Sequence, residues 1–249
     1  MSGHSKWASI KHKKAATDAK RGALFTKLTR AITVAAREGG DPEGNAALAL
    51  AVQKAKDASM PKDNIERAIA KGTGADQDAA AFETVLYEGY GPGGVAVLVE
   101  ALTDNRNRTS SDVRHAFSKS GGNLGEPGSV AWIFEKKGQI VVDAARYDED
   151  DLMPAIDAGA EDVALDGDVL EVITGPGDLV AIRAALEQAG VELQSAELAM
   201  RPTNRVTLDE TQAGALMRLL DTLDDNDDVQ AVHANFDVDA DVLERVAGA

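Results

Sequence analysis

Cysteine is absent from the 249 residues, which removes disulfides, thiol nucleophiles and thiolate metal sites and fits a reducing compartment. Aromatic residues are only 4% although hydrophobic residues reach 44%. The chain is too apolar for a disordered tail and too long for a disulfide-stapled miniprotein, so one to three small folded domains are expected. Long apolar runs are also missing: the longest, such as Val95 to Val99, have strand length, and Met1 to Lys20 carries charges but no apolar signal core. Neither a targeting signal nor a membrane span is visible, so a soluble protein with no membrane partner is expected.

Positive charge is in deficit, 26 Lys+Arg against 42 Asp+Glu, for a net of −16. Taken alone this argues against a polyanionic partner. The average conceals a split, because residues 1–72 carry a net +7 and the remaining 177 carry −23. The chain is a basic head on an acidic body.

The familiar catalytic constellations are absent too. No G-x-S-x-G and no G-x-x-x-x-G-K-[ST] occurs, so hydrolase and NTPase chemistry lacks its nucleophile or phosphate cradle. His4, His12, His115 and His233 are too scattered for a local metal pair. The acidic run Asp224 to Asp228 lacks the glycine and glutamate of a calcium loop and reads as a solvated turn. Gly89, Gly91 and Gly94 match the dinucleotide fingerprint in form, but a strand follows where a helix N-terminus must receive the pyrophosphate. A hairpin-like connection is the better reading. Asn107-Arg108-Thr109 is a glycosylation triplet by pattern only. No metal, cofactor or catalytic residue is expected.

What is present is periodicity. Leu24, Leu28, Ile32 and Ala35 share one helical stripe with Lys27, Arg30 and Arg37 on the far side, and Gly39-Gly40 supplies a stop. Asp41-Pro42-Glu43 looks like a cap and first turn opening a second helix with Leu48, Val52 and Ala55 inward. Met60 to Asp63 opens a third, bearing Ile65, Ala68 and Ile69 and closed by Gly72, before a linker at residues 73–80.

Beyond the linker the period becomes strand-like at Phe82 to Glu88 and Val95 to Leu102. A helix carrying Val113 and Phe117 follows the polar run Thr103 to Ser111, and Ser129 to Glu135 reads as a strand containing Trp132. Residues 139–199 alternate as βαββαβ, the ferredoxin-like signature. After Pro202 come a short extended stretch, a helix from Asp209 to Leu223, and a strand from Val229 to Phe236, with the last dozen residues expected to fray. Periodicity alone does not fix whether these late elements complete the unit begun at Phe82, which would make residues 139–199 an insertion.

The candidate site is the basic arm: Lys6, Trp7, Lys11, His12, Lys13, Lys14, Lys20 and Arg21, continued by Lys27 and Arg30 on the first helix. Eight Lys+Arg against the single Asp18 in the first thirty residues suit phosphate neutralisation with counterion release. Trp7 beside Lys6 adds a stacking surface for single-stranded nucleic acid or a ribosomal RNA groove. The alternative is that Trp7 and Ile10 anchor the arm on the bundle and the lysines keep it in solution. A second basic cluster, Arg106, Arg108 and Arg114, can equally pair with the acidic body.

These residues also carry a resemblance. The run Gly3 to Ala16, with Asp18-Ala19-Lys20-Arg21-Gly22, strongly resembles the opening of the YebC/PmpR family. The likeness continues through Asp57 to Gly74, Tyr87 to Gly94, Asn105 to Thr109, Pro202-Thr203-Asn204 and Asn235-Phe236-Asp237. One departure is His233, where the family pattern has tyrosine. The resemblance implies an α+β protein of three domains: a helical head (1–80), an α+β domain (81–137 with 202–249), and a ferredoxin-like domain (138–201) inserted in the second. It further implies a cytoplasmic, non-enzymatic protein described as a probable transcriptional regulator that binds DNA. Relatives, including the mitochondrial translational activator of cytochrome oxidase, instead act on translation, some at the ribosome on nascent chains rich in proline. The expected partner is therefore nucleic acid, either DNA or ribosomal RNA in the ribosome.

Overall fold

The computed structural model describes residues 18–75 and 82–247. Helix α1 (Asp18–Ala35) runs into a 3-10 turn, Ala36–Glu38. Its Leu28, Ile32 and Ala36 pack against Leu48, Val52 and Ala55 of α2 (Ala46–Asp57) and Ile65 and Ala68 of α3 (Lys62–Ala70), closing an aliphatic head.

Helix α2 does not open at Asp41-Pro42-Glu43. Those residues form a turn in which Asp41 Oδ1 accepts the Glu43 N–H at 3.0 Å. The cap is Asn45, whose Oδ1 accepts the Leu48 N–H (3.0 Å) while its Nδ2 donates to the Ala35 and Gly39 carbonyls (2.7 and 2.9 Å). One buried amide thus satisfies the end of α1 and the start of α2, which a carboxylate at Asp41 cannot do because it has no donor.

Helix α3 does not close at Gly72 but continues through a wider turn, Lys71–Ala75. A Cβ at Gly72 would lie 2.4 Å from the Thr33 carbonyl oxygen and 2.6 Å from Ala36 Cβ. This glycine permits close packing on α1 and is not a stop.

Strands β1 (Glu83–Tyr90) and β2 (Ala96–Thr103) form an antiparallel hairpin, closed by Gly91 N–H to the Val95 carbonyl at 2.8 Å. Gly93 and Gly94 sit at φ 73° and 76°, conformations that need glycine. The polar run after β2 is itself helical: α4 spans Arg106–Lys119, capped by Asn105 Oδ1 accepting the Arg108 N–H at 3.1 Å. After β3 (Asn123–Leu124), the stretch read as a strand through Trp132 holds a 3-10 turn, Ala131–Ile133, and β4 starts at Phe134 (Phe134–Asp143).

The next unit contains α5 (Met153–Asp157, preceded by a 3-10 turn), β5 (Asp162–Asp166), β6 (Val169–Thr174), α6 (Leu179–Gln188) and β7 (Leu193–Pro202). Its antiparallel sheet has the order β5-β6-β4-β7, the ferredoxin-like arrangement. The chain then returns through β8 (Val206–Thr207), α7 (Glu210–Asp224), β9 (Val229–Ala234), β10 (Phe236–Asp237) and α8 (Ala240–Ala247).

β9 pairs with β2, giving a first sheet of order β3-β1-β2-β9. The late elements therefore complete the unit begun at β1, and the ferredoxin-like unit is inserted between its two parts. One face of the first sheet packs Val97 and Val99 against Phe117 of α4, Leu216 and Leu220 of α7 and Leu243 of α8. Leu243 is fully buried, so the C-terminal stretch through residue 247 is helix, docked by its apolar side, and not a frayed end. The opposite face joins Ala96 and Leu98 to Val130, Ile133, Phe134 and Met200, seating the inserted unit.

Candidate nucleic-acid interface

Lys6, Trp7, Lys11, His12, Lys13 and Lys14 lie outside the described residues, and Lys20 is placed only by its position in the first turn of α1. Arg21 is exposed, its guanidinium 5.5 Å from the centre of the Phe25 ring. That packing one turn along the helix holds the charge at the surface.

Lys27 and Arg30 are turned elsewhere. The Lys27 ammonium donates to the Asp224 carbonyl and lies 3.8 Å from the Asp224 carboxylate. Arg30 Nη1 donates to the Asp227 carbonyl at 2.5 Å and the Asp228 Oδ1 at 2.6 Å, with its guanidinium 5.4 Å from the Phe82 ring centre. The side of α1 opposite its aliphatic stripe thus faces the body, and the acidic turn after α7 is its counterpart. That turn is not a merely solvated connection, since Asp228 is only 3% exposed.

Asp228 is a junction. Besides Arg30 on one oxygen, its other oxygen accepts from Arg108 Nη2 (2.7 Å), Thr109 Oγ1 (2.7 Å) and Thr103 Oγ1 (3.4 Å). Arg108 also reaches Asp104 at 2.8 Å. Burial pushes the Asp228 carboxyl up, but the hydrogen bonds from Arg108 and Thr109 and the charges of both arginines outweigh it and hold the group below the usual carboxylate range. Arg30 and Arg108, both singled out as candidate nucleic-acid contacts, are therefore joined through one carboxylate.

Arg106 and Arg114, by contrast, are exposed, and their side chains make no ion pair or hydrogen bond among the described residues. Helix α4 thus splits the second cluster into one structural arginine and two solvent-facing ones. Asp228 was the residue that sequence reasoning missed; the only signal available was that an acidic run and a basic helix face carry complementary charge. His233, the departure noted above, lies in β9 of the first sheet with Nε2 3.0 Å from Glu100 Oε1.

Among the described residues no three His, Asp or Glu side chains are grouped to hold a metal ion, and no helix is long and apolar enough to cross a membrane. The geometry offers cations on two helices.

Comparison with known proteins agrees across the chain. Residues 5–75 match the family described as the TACO1/YebC protein N-terminal domain, and residues 82–236 match the TACO1/YebC second and third domain. A probable transcriptional regulatory protein of Rubrobacter xylanophilus is 61% identical, with all of both chains covered. One of Desulfotalea psychrophila is 56% identical over 99% of this chain and 100% of its own. The crystal structure of a conserved hypothetical protein from Aquifex aeolicus superposes with a TM-score of 0.85 at 49% identity, covering 94% of this chain and 97% of that one.

Proposed function

Because the chain belongs to the TACO1/YebC family, we propose that it is a non-enzymatic cytoplasmic regulator of gene expression that binds nucleic acid through its basic N-terminal domain. The relatives' name, probable transcriptional regulatory protein, supports DNA as the target and transcription as the process. The observation that carries the nucleic-acid reading is charge segregation: a net +7 in residues 1–72 against −23 in the rest. A polyanion is attracted to the head and repelled by the body, so only the head and whatever cations lie beside it can approach phosphate.

A second reading, a ribosome-associated factor that binds ribosomal RNA and assists synthesis of proline-rich stretches, is favoured by one feature of α1. A DNA-reading helix needs a free face of Arg, Asn and Gln side chains. Here the side of α1 carrying Lys27 and Arg30 is given to the acidic turn. A narrow cationic arm recognising RNA by shape makes no such demand.

Both readings predict that charge reversal at Lys11, Lys13, Lys14 and Lys20 abolishes nucleic-acid binding while leaving thermal unfolding unchanged. Full retention of binding by that variant overturns the assignment to the head. Gradient sedimentation of lysate with crosslinking from the arm separates the two targets. Recovery of ribosomal RNA selects translation, and recovery of promoter DNA with sequence-dependent affinity at about 0.15 M salt selects transcription.

A further inference from the structure

Beyond residue 72 the chain has twelve Lys+Arg in a region of net charge −23, and four of the twelve fall on the 14-residue helix α4. Half of the body's cations are paired: Arg108 with Asp104 and Asp228, Lys137 with Glu161, Arg146 with Glu192, Arg183 with Asp57 and Glu187, Arg201 with Glu171 and Arg245 with Glu210. Six have side chains with no ion pair or hydrogen bond among the described residues, and three of those six are Arg106, Arg114 and Lys119 of α4. All three are exposed. The helix has a single acid, Asp112.

The helix presents Asn107, Ser111, Arg114 and Ser118, spaced i, i+4, i+7, i+11 and all exposed, as one stripe opposite the buried Val113, Ala116 and Phe117, with Arg106 and Lys119 on its two flanks. The stripe is about 16 Å long at 1.5 Å per residue. It is continuous with the head, because Arg108 at its start and Arg30 of α1 share Asp228.

We propose that this outer face of α4 is a second nucleic-acid contact, receiving the sugar-phosphate backbone of double-helical RNA engaged by the head. The proposal rests on the reading of the head as nucleic-acid-binding and assigns the body a part in it. Charge complementarity selects a polyanion, since this is where unpaired positive charge gathers in an otherwise acidic body. The side-chain set favours RNA over DNA. Beyond one asparagine and one arginine the stripe lacks the long bidentate side chains that read a DNA major groove, whereas Ser111 and Ser118 beside arginine suit 2′-hydroxyls and phosphates across the wide, shallow minor groove of an A-form helix.

The test uses the full chain and two fluorescent duplexes of about 20 base pairs, one RNA and one DNA of the same sequence, longer than the roughly 16 that a shape-reading RNA domain spans. Anisotropy titrations across a salt series compare the wild type with R106Q/R114Q/K119Q, and separately with K11Q/K13Q/K14Q in the arm. The α4 variant is expected to bind the RNA duplex about tenfold or more weakly, with the logarithmic salt slope smaller by about 2 to 3. R106K/R114K should keep near-normal binding, since a phosphate contact needs charge and not the guanidinium fork.

An α4 variant with wild-type affinity and slope overturns the proposal, as does a wild type that does not bind the RNA duplex. An equal or larger loss on the DNA duplex overturns the choice of RNA. Loss by the α4 variant together with an unaffected arm variant sustains α4 and overturns the head reading instead. The three substituted side chains have no ion pair or hydrogen bond to lose among the described residues, so an unchanged unfolding midpoint checks that the fold is intact.

Discussion

At the scale of the residue, Asp228 decides how the head meets the body. Its carboxylate accepts from two arginines and two threonines although it is almost fully buried. A buried carboxylate without such partners would be neutralised by proton uptake; here the partners keep it charged. Asp228→Asn replaces an acceptor oxygen with an amide that points N–H groups at guanidinium N–H groups. Breaking a buried pair costs roughly 3–5 kcal/mol, but the Arg108 side chain is 47% exposed and can regain water, so a loss of about 2 kcal/mol is expected in urea unfolding. Thr103→Val, which leaves both arginines on the carboxylate and removes the 3.4 Å bond to it, the hydroxyl's contact with Thr109 and its acceptance of the Asn105 N–H at 2.9 Å, should cost about 1 kcal/mol. Equal midpoints for the two variants would mean that the arginines gain nothing from sharing the carboxylate.

At the scale of the element, the segment between β3 and β4 shows a side chain dictating backbone form. Glu88 in β1 is 5% exposed, and its carboxylate accepts three backbone N–H groups, Gly128 at 2.7 Å, Val130 at 2.8 Å and Ala131 at 2.7 Å. Burial raises its carboxyl and the three amides outweigh that, leaving it below its ordinary value. By taking the amides that a strand would offer to a ladder, it turns residues 131–133 into a 3-10 turn and puts Trp132 outside, 69% exposed. Glu88→Gln can accept through only one of its two terminal atoms, so at least one amide is orphaned at a cost of about 1–3 kcal/mol. One carboxylate oxygen serves Val130 and Ala131 and the other Gly128, so hydrogen exchange should accelerate at Gly128 or at the other two, and exchange rates equal to the wild type at all three would sink this account.

The same segment explains what was legible in the sequence. Helices α1 and α7 and the βαββαβ unit follow from periodicity and local caps, such as the reciprocal Asp209–Gln212 box at α7. The turn at Trp132 did not, because its cause, Glu88, lies some forty residues earlier. Nor did the placement of Lys27 and Arg30, whose partners are nearly two hundred residues away. A cation on a helix face looks the same in sequence whether it meets solvent, a polyanion or an acidic turn.

At the scale of the whole molecule, the head is fastened to the body at two places by charge. Arg30 meets Asp228 at 2.6 Å beside the first sheet. On the inserted unit, Arg183 holds Asp57 of α2 through two bonds (2.8 and 3.0 Å), and Lys54 meets Glu197 at 2.5 Å. Burial raises the Asp57 carboxyl, and the hydrogen bonds from Arg183 and Gln53 more than reverse it, so Asp57 and Asp228 both titrate below an undocked carboxylate. A depressed value means that docking is favoured while the group is ionised. The contribution is complete above the undocked value of about 4 and disappears as the pH falls through the lower docked values. Neither group changes charge between pH 6 and 8, so the clasp is constant there. Below about pH 4 both fastenings weaken together, while the aliphatic core of the head, which contains no carboxylate, is untouched. Small-angle scattering should therefore show a constant radius of gyration from pH 8 to about pH 5 and an increase between about pH 4 and pH 3, with helix content retained at the onset. Asp57→Asn together with Asp228→Asn should give the expanded form already at neutral pH. A compact double variant would mean that apolar contact alone holds the head, and that the charged pairs only set its orientation.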